Sequence, residues 1–245
     1  MLLELAGVEK RFGGLTAVSA FSANLEAGSL TGLIGANGAG KTTLFSIVAG
    51  NQRPSSGRVF FDGRDITGLP PHRISRLGIA RTFQIVRPFK GLTVLDNVRT
   101  AAMFGAGRAP APEASRRAER VLEVVGLADR AWQNAGELTL AGRKRLEVAR
   151  ALATQPKLMM LDEVLAGLTP TEVEEAIGIV RRVHSEFGVT ILMVEHVLRA
   201  VMQLCSRVIV MHHGQKIAEG VPSEVTQDPV VIDAYLGVAH GPAAA

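Results

Sequence analysis

The chain has 245 residues, 47% of them hydrophobic and 20% charged, with a formal net charge of +4 from 27 Lys and Arg against 23 Asp and Glu. That length supports one large domain or two compact lobes with a sizeable core. The mild charge, spread without a polybasic run, and an aromatic content of only 4% argue against a nucleic-acid surface built on base stacking.

The opening "MLLELAGVEKRF" places Glu4 inside what would be the apolar stretch of a leader, so no secretory signal is expected. The one cysteine, Cys205, has no partner for an intramolecular disulfide and lies in an apolar stretch, which suggests a reducing compartment and a small core residue. Apolar runs such as 191–194 and 208–211 are far shorter than the ~20 residues of a membrane span.

In chain order, 2–8, 20–25 and 30–34 read as short strands, with Glu26, Ala27 and Gly28 as a turn. "GANGAGKTT" (35–43) follows a strand and precedes an apolar helical stretch, 44–49. Residues 51–57 form a turn cluster and 58–63 a strand and turn. From about residue 85 the texture becomes helical, over 93–104 and 113–127, with a loop between them. The alternating pattern returns after Pro156: a buried strand "KLMMLDE", a helix from Pro170 closed by Gly188, a strand "VTILMVEH", and a hairpin-like pair over 207–220. His212 and His213 read as part of that turn, and Trp132 as a packing residue. Strands alternating with helices predict an α/β fold with a mostly parallel sheet.

Two motifs carry chemistry. Gly35, Ala36, Asn37, Gly38, Ala39, Gly40, Lys41 and Thr42 match G-x-x-x-x-G-K-[ST] in full, between a strand and a helix, with Thr43 next in line. Glycines let backbone N–H groups curl round phosphate oxygens, and a helix N-terminus adds donors and partial positive charge. Lys41 is placed to reach the β- and γ-phosphates, and the Thr42 hydroxyl to ligate Mg²⁺. "LMMLDE" (158–163) carries Asp162 to the C-terminal end of a buried strand, where open α/β sheets bind ligands. Asp162 is expected to hold Mg²⁺ through water, and Glu163 to polarise an attacking water.

With both motifs in place, the chain resembles an ATP-binding cassette (ABC) ATPase over its whole length. Phe12 in "KRFGGL" resembles the aromatic that stacks on adenine, although a core position would suit it too. Gln84 in "ARTFQ" resembles the glutamine that senses Mg²⁺ and contacts a membrane subunit; a plain surface-loop residue is the alternative. His196 in "MVEH" resembles the histidine that contacts the γ-phosphate, as against a histidine that merely starts a helix. "LAGLTP" (165–170) resembles the loop crossing the dimer interface, and "LTLAG" sits where the family has its Leu-Ser-Gly-Gly-Gln signature.

In that family the signature lies at a helix N-terminus and grips the γ-phosphate bound to the opposite subunit. Here Thr139 keeps a hydroxyl, Leu140 and Ala141 stand for the two glycines, and Gly142 stands for the Gln. An Ala141 methyl is expected to hinder close backbone approach, which would weaken the contact or shift it toward Gly142. Val164 replaces the proline common after the glutamate.

The resemblance implies a P-loop NTPase core, RecA-like, with an N-terminal antiparallel β subdomain and a helical subdomain. The expected division is a nucleotide-binding lobe over 1–84 and 155–220, a helical lobe over 85–154 and a C-terminal helical tail over 221–245. The segments 78–98 and 220–237 resemble the branched-chain amino-acid uptake ATPases, and within them the first-type cassette. This implies ATP and Mg²⁺ as ligands and ATP hydrolysis. The implied partners are a second cassette, polytopic membrane permease subunits and, indirectly, an external solute-binding protein. The implied location is the cytoplasmic face of the plasma membrane. Cargo is a branched-chain amino acid or a related small polar solute such as urea or an amide. Lipopolysaccharide-export ATPases and soluble non-transport cassettes are the alternatives. A simple P-loop kinase or GTPase would not need the signature helix or His196.

Overall fold

The computed structural model describes residues 1–83 and 86–236. Gln84 and the end of the tail, 237–245, lie outside the described residues. The N-terminal strands β1 (Leu3–Phe12) and β2 (Leu15–Leu25) pair antiparallel. After β3 (Leu30–Ile34) and α1 (Lys41–Val48), the chain returns to this sheet as β4 (Ser56–Phe61) and β5 (Arg64–Asp65), in the order β2-β1-β4-β5. Leu3 faces Leu25 on one side and Phe61 on the other. All three are buried, so one face of the sheet is core and the other is wet.

Helix α2 (Pro71–Leu77), not anticipated from the sequence, starts with Pro and stops at Gly78 in the left-handed region. It leads into β6 (Ile79–Arg81). Three helices follow: α3 (Val94–Phe104), α4 (Ala111–Val124) and α5 (Leu140–Ala153). The second half contributes β7 (Leu158–Asp162), α6 (Pro170–Phe187), β8 (Thr190–Val194), α7 (Leu198–Leu204), β9 (Arg207–His212) and β10 (Gln215–Gly220). Two helices, α8 (Pro222–Val225) and α9 (Pro229–Leu236), close the described chain. Helix α6 keeps the bracket its sequence announces: Thr169 and Glu172 form a capping box, Pro170 opens the first turn, and Gly188 at φ 61° ends the helix.

The central sheet has the order β10-β9-β3-β8-β7-β6, parallel except for the β9–β10 hairpin. Strands β3, β7, β8 and β9 are covered on both faces, which is why their sequences run apolar without alternation. On β7, Leu158 and Met160 pack into the core shared with the antiparallel sheet and α1. Met159 and Leu161 pack into the core shared with α3, α4, α5 and α6. The two cores therefore meet across one strand layer, and all the parallel strands end at one edge.

The structure corrects three expectations. Helix α1 begins at Lys41 itself, three residues ahead of the apolar stretch. Phe12 is 45% exposed, which removes the core alternative. Trp132 is 79% exposed rather than packed, because it stands on the turn after a single 3₁₀ turn at Ala128–Arg130, outside the apolar faces of the helices.

Candidate functional site

The loop after β3 is shaped by glycine. Gly35 and Gly40 take φ 157° and 106°, and a Cβ at either would run into a neighbouring carbonyl, that of Met211 or that of Ala17. The loop thus lies close against β9 and β2 before it enters α1. Lys41, only 5% exposed, folds back so that its ammonium donates to the carbonyls of Gly35 (2.6 Å) and Ala36 (3.0 Å). Burial holds its pKa below the ordinary lysine value, opposed by the nearby carboxylates of Glu163 and Asp162. Two of its three protons are engaged by the loop, which leaves one for an incoming anion.

A cavity of about 320 Å³ opens above this loop, lined by Phe12, Leu15, Ala17, residues 37–43 and Glu163. Its floor is the phosphate-binding motif, and Phe12 and Leu15 make it apolar at one end. Such a lining suits a ligand with a flat apolar base and a charged tail. Lys10 sits with its ammonium 5.0 Å from the Phe12 ring centre.

Asp162 ends β7 and is almost fully buried. It shares a second cavity, about 460 Å³, with Thr42, Arg81, Phe83, Arg87, Glu147 and Arg150. Its carboxylate Oδ2 accepts from Arg81 Nη2 at 2.7 Å, and its backbone N–H donates to the Thr82 hydroxyl at 3.0 Å. Sequence reasoning passed over Arg81; its signal was a charge inside an otherwise apolar strand end, three residues from Gln84.

Glu163 follows in the left-handed region at φ 50°, a sparsely populated conformation for a residue with a side chain. Main-chain bonds hold it there: its N–H donates to the Val194 carbonyl (2.9 Å), and its carbonyl accepts from the Lys144 ammonium (2.7 Å) and the Ala166 N–H (3.3 Å). The kink turns the carboxylate away from Asp162 and onto the wall of the phosphate-loop cavity. His196 Nε2 lies 2.9 Å from Glu163 Oε1. An ionised carboxylate only accepts, so the ring nitrogen facing it carries a proton.

Behind this pair lies a buried layer that the sequence did not reveal. Glu195 accepts from the Leu165 N–H at 2.9 Å. Burial, the main cause, pushes its pKa from 4.5 up to about 7 against the pull of that bond and of Lys144. Lys144 is itself buried, and its pKa is lowered by desolvation in spite of Glu195 and Glu163.

Thr139 is the N-cap of α5, its hydroxyl oxygen accepting from the Gly142 N–H at 3.2 Å. Ala141 and Gly142 are turned inward, and Ala141 lines a small internal gap with Val148, Val164 and Val180. The Ala141 methyl therefore faces that gap, and the side chain standing on this surface is Leu140, 44% exposed. Gln84 lies outside the described residues, and Thr43 stands on the wall of the phosphate-loop cavity.

Residues 18–166 match the ABC transporter family model, and residues 215–241 match the model for branched-chain amino acid ATP-binding cassette transporters. The chain is 40% identical to the high-affinity branched-chain amino acid transport ATP-binding protein BraF of Pseudomonas aeruginosa, over 97% of this chain and 98% of that one. It is 39% identical, over 97% and 98%, to the corresponding protein LivG of Salmonella typhimurium. Among solved structures it is similar to an ATP-binding cassette of an ABC transporter in its ADP conformation. That match has a TM-score of 0.87 and 33% identity, over 96% of this chain and 98% of that chain.

Proposed function

The chain belongs to the ABC transporter family, on its branched-chain amino acid branch, and from that premise we propose that it is the ATP-binding and ATP-hydrolysing subunit of an importer. Its cargo is a branched-chain amino acid or a related small polar solute. The match of residues 215–241 favours this over an export system or a soluble cassette. The observation that carries the hydrolytic part is the Glu163 carboxylate on the wall of the phosphate-loop cavity, bonded to His196.

The triphosphate lies over residues 35–43, with Phe12 against the base. Amides at the head of α1 and the Lys41 ammonium bind its oxygens. Glu163 orients a water and accepts its proton as the water attacks the γ-phosphorus, the bond to the β–γ bridging oxygen breaks, and ADP and phosphate are left. His196 holds Glu163 in that direction and lies beside the phosphate. Thr42 and Asp162, facing one cavity, fit Mg²⁺: both are hard oxygen donors. Among the described residues no cluster of three or more His, Cys, Asp or Glu could hold a metal without help. Such a sparse set is what Mg²⁺ uses when phosphates and waters complete its shell. Bound there, the ion would neutralise charge developing on the phosphate oxygens.

The far side of the γ-phosphate is open in one chain. We assign its closure to the head of α5, with Thr139, of a second cassette. Binding then closes the pair and hydrolysis reopens it, and the differential affinity of ATP for the closed state drives the cycle. The helical segment 85–154 and Gln84 face polytopic membrane subunits, with a solute-binding protein outside. No helix among the described residues is long and apolar enough to cross a membrane, so attachment to the inner face runs through those partners.

The test is affinity purification of the tagged chain, native and Glu163→Gln, from detergent-solubilised membranes. Both should bring down a second cassette and polytopic proteins. The native complex should release phosphate from ATP, and the variant should bind ATP yet turn over at least about 100-fold slower, the scale of losing a general base. Recovery of soluble partners alone would sink the importer, and undiminished turnover would sink Glu163.

A further inference from the structure

We propose that Arg81 is an exchangeable counter-ion, bound to Asp162 in place of the metal until Mg²⁺ and nucleotide arrive together. The inference rests on the reading of Thr42 and Asp162 as the Mg²⁺ ligands.

One guanidinium bonds Asp162 directly and reaches the backbone of Thr42 through Ser46. Arg81 Nη2 donates to Asp162 Oδ2 at 2.7 Å, and the side chains are 8% and 3% exposed. Arg81 Nη1 donates to the Ser46 hydroxyl at 3.1 Å, and that hydroxyl donates to the Thr42 carbonyl at 2.7 Å. The flat cation lies 5.7 Å from the Phe45 ring centre and 5.4 Å from that of Phe83.

A carboxylate this deeply buried needs a positive partner. Lys41 does not bond to it, since its ammonium is engaged with the loop carbonyls. Arg81 supplies the charge, and in doing so it places a like charge next to the position of an incoming dication. Metal binding must either displace the guanidinium or proceed against its repulsion, and both weaken the metal.

Arg81 is also incompletely satisfied. Its Nε is buried without a hydrogen-bond partner among the described residues. A permanent structural clamp would be expected to satisfy that donor. The adjoining cavity gives the side chain room, and the other carboxylate on its wall is Glu147 of α5, whose Oε2 accepts from Arg150 Nη1 at 3.2 Å and has a second oxygen to offer. Transfer of the guanidinium from Asp162 to Glu147 would carry the arrival of the metal from the phosphate site to the helical segment.

The experiment follows binding of a fluorescent ATP analogue to the full chain as Mg²⁺ is titrated from none to saturation. It compares native protein with Arg81→Met, Arg81→Lys and Ser46→Ala, and thermal melts run alongside, both without ligand and with Mg²⁺ and the nucleotide. In Arg81→Met the Mg²⁺ concentration at half-maximal binding should fall at least about threefold, as expected for removing a neighbouring like charge. The melting temperature without nucleotide should also fall, and part of that loss should be regained with Mg²⁺ and nucleotide. Arg81→Lys, which keeps the charge, should stay close to native. Ser46→Ala spares the ion pair but frees one arm of the guanidinium, so it should shift in the same direction by less, and it decides the matter if Arg81→Met does not fold. An unchanged or raised Mg²⁺ requirement, with a stability loss equal in the presence and absence of ligand, makes Arg81 a structural clamp and overturns the inference alone. A native chain that binds no nucleotide overturns the reading of the site and this inference with it.

Discussion

Glu195→Gln separates the electrical cost of the buried layer from its shape. Glutamine keeps an oxygen for the Leu165 N–H and nearly the same volume, and it removes the charge. The native carboxyl has its pKa raised from 4.5 to about 7. Below about 4.5 the folded and unfolded chains both hold the proton. Between there and about 7 the folded chain keeps a proton that the unfolded chain gives up, so stability falls as pH rises. Above about 7 the loss is complete and constant. At about 1.4 kcal/mol per tenfold, the whole loss is about 3 kcal/mol, most of it between pH 5 and 8. Urea unfolding of both proteins across that range reads it directly. The native unfolding free energy should fall by about 2 to 3 kcal/mol more than that of the variant, leaving the variant at least as stable as native at pH 8. Parallel pH profiles would show that Glu195 is ionised at little cost, and the account of the buried layer would be wrong.

Lys144→Met removes the ammonium that holds the Glu163 carbonyl. It should cost about 1.5 to 3 kcal/mol, the range of a charge-assisted hydrogen bond, and depress phosphate release much more than nucleotide binding; equal losses in both assays would speak against it. Gly40→Ala forces a methyl against the Ala17 carbonyl at φ 106°, so binding of the fluorescent nucleotide should be abolished while circular dichroism still reports folded protein. Native affinity would mean that the loop reshapes easily. Thr139→Ala removes the cap of α5 and should cost about 1 kcal/mol, a drop of about 2 to 4 °C in melting temperature for a chain of this size. Thr139→Ser should melt like the native chain.

The readable parts of the molecule were those whose signal is local. The run 35–42 announces itself because its residue types and spacing form a phosphate-binding pattern on their own, although the carbonyls that crowd Gly35 and Gly40 come from the distant Met211 and Ala17. Helix α6 is bracketed by Pro170 and Gly188 for equally local reasons. The strand "LMMLD" showed as buried because both faces are covered, and its end marked Asp162. What the sequence hid depends on register between distant segments. Arg81 meets Asp162 because β6 pairs with β7, and Lys144 meets Glu163 because α5 lies beside the end of β7. Glu195 read only as the residue before His196. Nothing in a string of letters says that a carboxylate at the end of an apolar strand is sealed under a loop. Trp132 failed in the opposite sense: its type suggested a core, and its place on a turn denied it one.

Cys205 has a practical consequence. It is the sole cysteine of the chain, 7% exposed, and burial pushes its thiol up to about 12, so almost no thiolate is present at neutral pH. Its sulfur lies close behind Gly32 of β3, where even a methyl would crowd it. The natural thiol is therefore silent to alkylating reagents. A second cysteine placed on an exposed site, such as Leu140 at the head of α5, would be the single point of attachment for a dye or spin label. Pairs of chains labelled in this way could report their approach and separation during turnover as a distance, without stripping the protein of its own sulfur first.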